Sequence, residues 1–68
     1  AFYTVQAPRG FVTTAVSELA ARLRDEHGAV LISVQGHDGP LRVNPASTES
    51  VHAGDRIVVL ARKAPVLR

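Results

Sequence analysis

The side chains of this 68-residue chain that could carry chemistry are histidines, carboxylates and a few serines. His27, His37 and His52 each stand at a turn or a helix end, and the chain has no cysteine, so we predict no metal site. Asp25 and Glu26 are neighbours and would point apart on a helix, which prevents them from acting as an acid/base pair. No serine lies in a Gly-x-Ser-x-Gly pattern. We therefore predict that the chain is not an enzyme.

Arginines supply most of the positive charge, and the formal net charge is +2. They are scattered along the chain, and only Arg62 and Lys63 form a basic pair. Nucleic-acid binding usually requires a dense basic stripe, often interleaved with aromatic side chains that stack on bases. The aromatic residues here are confined to Phe2, Tyr3 and Phe11, so we predict no nucleic-acid partner.

Ala53-Gly54-Asp55 stands directly before the most apolar strand-like segment, residues 56–61. Glycine tolerates a positive φ, and aspartate bonds nearby backbone groups, so the pair is typical of a turn. A direct ligand contact by Asp55 is the other interpretation. No second acid, base or metal ligand gathers around it in the sequence, and this favours the turn.

Length and composition predict one small domain over residues 1–68. A domain of this size buries only about 60% of its unfolded surface and is marginally stable alone. Without cysteine it has no disulfide, so good packing, a partner subunit or attachment to a larger protein is expected to support it. The chain begins with Ala and contains no Met, and we expect it to be a fragment. No apolar run approaches the ~18 residues of a membrane span.

Residues 2–6 predict a strand, and an amphipathic helix follows it. The helix is expected to begin at an N-cap, Thr13 or Thr14, and to end at Gly28 in the left-handed conformation. Its buried stripe recurs at the 3.6-residue period of a helix and contains Val16, Leu19, Ala20 and Leu23. This stripe is expected to cover a sheet.

The remaining chain predicts three further strands. The continuous apolar run 29–35 is typical of a strand buried on both faces, 36–39 of a hairpin loop, and 40–45 of the returning strand. Residues 46–55 are expected to form a polar connection, 56–61 the last strand and 63–68 a tail. The order β-α-β-β-β predicts an α+β fold: a small sandwich in which one main helix packs on a small mixed sheet.

Two segments together carry a family resemblance: "HGAVLISVQGHDGPLRVNP" and "VHAGDRIVVLA". With the helix that ends at Gly28, they resemble the TrkA-C domain, the C-terminal lobe of RCK (regulator of potassium conductance) modules. The most specific parts are Asn44-Pro45 and Ala53-Gly54-Asp55-Arg56 at this spacing. The resemblance covers about residues 14–62 and implies a TrkA-C-like fold.

The resemblance implies a regulatory role at the cytoplasmic face of the cell membrane. Such lobes form homodimers, attach to a transmembrane subunit or domain of a potassium channel, potassium transporter or cation/proton antiporter, and gate transport on binding a small-molecule regulator. Some bind cyclic di-AMP between subunits, and another nucleotide is the other candidate; no prosthetic group is expected. By position, the implied ligand contacts are Leu23, Arg24, Ala29, Val30, Leu31 and Pro45. Arg24 matches the basic residue of nucleotide binders, whereas Val30 replaces a residue that is often polar.

A second interpretation of the same sequence is a free-standing protein-interaction module with an α+β fold and no small ligand. It shares the helix and the strands with the first interpretation. The two differ in whether a nucleotide binds near the end of the helix.

Overall fold

The computed structural model describes all residues from Ala1 to Arg68 and has an α+β architecture with one helix. The elements in chain order are β1 (Phe2–Gln6), β2 (Thr14–Ala15), α1 (Val16–His27), β3 (Val30–Gln35), β4 (Leu41–Val43), β5 (Ser50–Val51) and β6 (Arg56–Leu60). The main sheet has the order β1-β6-β3-β4, and β2 and β5 form a separate two-stranded sheet. The predicted α+β class with one main helix is confirmed, whereas the predicted β-α-β-β-β order lacks two short strands, β2 before the helix and β5 before the last strand.

All strand pairs are antiparallel. The prediction of a mixed sheet, with parallel and antiparallel pairs, is therefore wrong. The helical connection between β1 and β3 would suit adjacent parallel strands, but β6 inserts between these two. The last strand of the chain therefore occupies the centre of the sheet. Its central position explains why it is also the most apolar strand.

The helix stripe packs on one face of this sheet. Val16, Leu19 and Leu23 are buried in one core with Val34, Ile57 and Val59 of the two central strands. Tyr3, Val5 and Leu31 pack against the edge of this core. The predicted stripe is thus confirmed, and Ala20 lies half-buried at its border.

The start of the helix differs from the prediction. Thr14 belongs to β2, the N-cap is Ala15, and no side chain caps the helix. The Thr14 hydroxyl instead donates to the carbonyl of Val12 at 2.6 Å. The first helical N–H groups find backbone partners, because Val16 donates to Glu49 and Ser17 donates to Ser47. A loop that is distant in sequence therefore replaces the expected cap.

The segment predicted as a polar connection contains a strand and a core residue. Ser50 pairs with Ala15 in the small sheet, and Val51 is fully buried. The expected tail is also packed, since Pro65 is buried and Leu67 contacts the core. Strand β3 is not buried on both faces, because Val30 remains 39% exposed.

Candidate functional site

Five of the six residues implied as ligand contacts lie at the end of α1 and the start of β3, and two of these five belong to the core. Leu23 is 1% exposed and Ala29 is 0% exposed. Their side chains pack inside the domain and offer a ligand no surface. The surface that remains from this set consists of Arg24 and Val30, which are exposed, and Leu31 and Pro45, which are half-buried.

Gly28 builds the corner between α1 and β3. Its φ of 60° and ψ of 27° are left-handed, as the sequence predicts. The Gly28 N–H donates to the Arg24 carbonyl and the Ala29 N–H donates to the Leu23 carbonyl, both at 3.0 Å. The bond from Gly28, the left-handed residue after the helix, to the carbonyl four residues before it is that of the αL C-cap motif, and the Ala29 bond satisfies a further carbonyl of the last turn. It holds Arg24 and Val30 on either side of one rigid turn.

Pro45 stands two residues beyond the end of β4. The Asn44 N–H donates to the Ile32 carbonyl at 2.7 Å, and Asn44 has a positive φ of 49°. This bond lies one residue beyond the last register pair of β3 and β4, Ser33 with Val43, and Pro45 follows it. Strand β4 pairs only with Ser33, Val34 and Gln35, so it leaves the first half of β3 without a neighbour on that side.

Arg24 and Arg22 lie on different sides of the helix. Residues two apart are rotated by about 200° around a helix of 3.6 residues per turn. Arg22 lines a cleft of about 170 Å³ between α1 and the packed C-terminal residues, together with Glu26 and Leu67. Arg24 does not line this cleft and has no ion-pair partner. Its guanidinium is free to bind an anion.

Asp55 is occupied as a structural group. Its carboxylate is buried and accepts the His52 N–H at 2.9 Å, and the Asp55 N–H donates back to the His52 carbonyl at 3.0 Å. Gly54, with a φ of 85°, donates its N–H to the Ala7 carbonyl at the end of β1. The turn predicted at Gly54-Asp55 is confirmed, and it ties β6 to β1.

Arg42 extends this arrangement to a second carboxylate. Its side chain is half-buried, 2.9 Å from Glu49 and 3.9 Å from Asp55. Glu49 also accepts the Ala46 N–H at 2.8 Å. The bond to Arg42, and then the bond from Ala46, hold the pKa of Glu49 below its usual range. The sequence does not reveal this network, because its members come from β4 and two separate loops.

Glu49→Gln is expected to reduce stability at neutral pH and to flatten the acid limb of the stability profile. A carboxyl whose pKa is lower in the folded chain stabilises it above the unfolded pKa, and this contribution is lost as the pH falls through the folded pKa. Thermal melting across acid to neutral pH measures the effect. In an Arg42→Ala background the same substitution should have a much smaller pH-dependent effect. An unchanged acid limb in Glu49→Gln would contradict the role of this pair.

Apolar side chains are exposed on the side of the main sheet that faces away from α1. Strand register puts Phe2, Leu60 and Val30 in one row on that side, and it puts Val43 and Leu41 on the same side of β4. We call these five residues the outer sheet face. Phe2 is 67% exposed and Val43 is 66% exposed. Because Arg42 lies between Leu41 and Val43, it points inward.

The structure contains neither a candidate metal site nor a helix that could span a membrane. No group of three or more His, Cys, Asp or Glu side chains converges to hold a metal ion. Helix α1 is neither long enough nor apolar enough to cross a membrane.

Comparisons of the chain with protein families, with curated proteins and with solved structures give no match.

Proposed function

We propose that this chain is a cytoplasmic regulatory domain of a potassium channel, a potassium transporter or a cation/proton antiporter. In this proposal it is a homodimer at the inner face of the membrane and gates transport when a small ligand binds. Cyclic di-AMP is the first candidate ligand and another nucleotide the second. The proposal rests on the resemblance of residues 14–62 to the TrkA-C domain, and the α+β class with one helix agrees with it.

The observation that carries the ligand half of the proposal is the corner at Gly28. Arg24 is exposed there in the last turn of α1, without an ion-pair partner, and the open start of β3 follows Gly28. The C-terminus of a helix carries partial negative charge and disfavours a phosphate, so a bound phosphate would depend on a cationic side chain. Arg24 supplies this charge, with the guanidinium geometry that suits phosphate oxygens. A twofold dimer would present two such arginines to the two phosphates of cyclic di-AMP.

Arg24→Ala is expected to weaken cyclic di-AMP binding by about 10- to 100-fold, the range of one charge-assisted hydrogen bond. Calorimetric titration of the wild-type chain and the variant measures this change. Arg22→Ala is the matched control, because it removes the same charge from the other side of the helix. We expect its affinity to stay close to that of the wild type.

Two results would count against a nucleotide site at Gly28. Equal losses in Arg22→Ala and Arg24→Ala would indicate non-specific attraction of an anion to a basic chain. Absence of binding to cyclic di-AMP, other nucleotides and divalent cations would remove the ligand half of the proposal. In that case the second function, a protein-interaction module without a small ligand, becomes the better account. The exposed apolar residues of the outer sheet face favour that function, since such a surface is typical of a protein contact.

A further inference from the structure

The outer sheet face is the largest departure of this domain from an ordinary solvated surface. Seven large apolar side chains are exposed in the whole chain, and five of them are the residues of this face. The other two are Val12 and Val66. An antiparallel sheet with one wet face normally alternates apolar residues inside with polar residues outside. Here one end of the central strands is apolar on the outer face as well, at Val30 and Leu60, and such a surface is typical of a protein contact.

The polarity of the outer side changes from one end of the strands to the other. The first row across the sheet is apolar and contains Phe2, Leu60 and Val30. The middle row contains Thr4, Val58, Ser33 and Val43. The last row is mostly polar and contains Gln6, Arg56, Gln35 and Leu41. A partner must therefore be apolar at one end and polar at the other.

We propose that a second copy of this chain covers the outer sheet face, with the two sheets packed face to face. The twofold axis lies midway between the two sheets and runs parallel to the strands. Seen along the sheet normal, it passes between β3 and β6. This inference rests on the dimerisation half of the proposed function and names the surface that it uses. A twofold contact buries the same patch on both subunits, so the patch must complement itself.

Strand register shows that the patch complements itself about this axis. The rotation places β3 of one subunit opposite β6 of the partner. The apolar row then faces the partner's apolar row, and the polar row faces the partner's polar row. Leu60 then faces the partner's Val30, and Arg56 faces the partner's Gln35. A twofold axis across the strands would instead set the Arg56 end against the apolar row. That arrangement would bury a charge without a partner, which is costly.

The size of the face predicts a weak dimer. Four strands about 4.8 Å apart and five residues long at about 3.3 Å per residue span roughly 20 by 17 Å. The area of this rectangle is less than the ~800 Å² of surface that each partner buries in a standard stable interface. We therefore expect an equilibrium between monomer and dimer that depends on concentration. Val30 lies both in the face and at the Gly28 corner, so a ligand at Arg24 would border the interface and could shift this equilibrium.

Sedimentation velocity from micromolar to millimolar chain concentration tests the surface. Val43→Asp and Leu60→Asp should each weaken dimerisation by about tenfold or more, because they place a charge inside the interface. Val12→Asp is the matched control, since Val12 is 78% exposed and lies outside the face. It should dimerise like the wild type. Thermal melting of each variant verifies that it is folded.

A cross-linking measurement gives a second readout that needs no destabilising charge. The chain has no cysteine, so Leu60→Cys introduces a single thiol. A short bismaleimide should join two Leu60→Cys chains efficiently and should join two Val12→Cys chains poorly.

Each alternative result overturns a different part of the account. A wild-type dimer that persists in both Asp variants, with poor cross-linking at residue 60, would overturn the outer sheet face while dimerisation stands. A monomer at every concentration would contradict both the dimer and the use of the outer sheet face as its contact surface. A different chain would then be the partner that covers this face. The titration of Arg24 with cyclic di-AMP decides the ligand half independently, because it can be read on a monomer.

Discussion

Leu23→Ala is expected to lower the free energy of unfolding by about 2–5 kcal/mol, the usual cost of removing a large apolar side chain from a packed core. Leu23 is 1% exposed and belongs to the core shared by α1 and the central strands. A domain has only about 0.05–0.15 kcal/mol of stability per residue, so a chain of this length has little reserve. We therefore expect a large unfolded fraction at physiological temperature.

Urea unfolding followed by circular dichroism measures this cost. The matched control is Arg24→Ala, the next residue of the helix, whose side chain is exposed and should change stability by less than about 0.5 kcal/mol. The pair separates the core from the candidate site within one helical turn. A stable Leu23→Ala chain that has lost nucleotide binding would show that Leu23 contacts the ligand, against its burial.

Asp55→Ala is expected to destabilise the fold by about 1–3 kcal/mol, because it leaves a partly buried N–H without its acceptor. The carboxylate accepts the His52 N–H and lies 3.9 Å from Arg42, which would lose a neighbouring negative charge. The turn at Gly54 that joins β6 to β1 should loosen as a result. Asp55→Asn keeps one oxygen acceptor and should cost less.

Chemical unfolding of three variants tests this interpretation: Asp55→Ala, Asp55→Asn and the control Asp25→Ala. Asp25 is an exposed aspartate of α1 without an ion-pair partner, so its removal should leave stability nearly unchanged. Equal stability of Asp55→Ala and Asp25→Ala would indicate that the Asp55 carboxylate does not hold the turn.

The helix and its C-terminal turn could be predicted from local sequence. The stripe of Val16, Leu19 and Leu23 follows the helical period, and Gly28 is the residue type that adopts the left-handed geometry without strain. Both signals lie within one continuous segment. The start of α1 could not be predicted in this way, because its first N–H groups bond to the loop at Ser47 and Glu49, 30 and 33 residues further along the chain.

The orientation of β4 shows the limit of strand patterns. An alternation of apolar and polar residues predicts that a strand has two faces, but the pattern does not say which face meets the core. In β4 the polar residue Arg42 points inward, because the carboxylates of Glu49 and Asp55 lie on that side and pair with its guanidinium. Leu41 and Val43 therefore point outward and extend the outer sheet face. This face became visible only when four strands were placed side by side.

By itself, then, the sequence determined the α+β class, the helix with its Gly28 turn, the Gly54-Asp55 turn and the residues that resemble a TrkA-C domain. These features depend on neighbours in the chain. The tertiary structure alone decided that Ala29 is core, that Arg24 has no ion-pair partner, and that apolar residues from β1, β3, β4 and β6 share one exposed surface. Burial and shared surfaces depend on contacts between segments that are far apart in sequence, and a single chain of letters does not record those contacts.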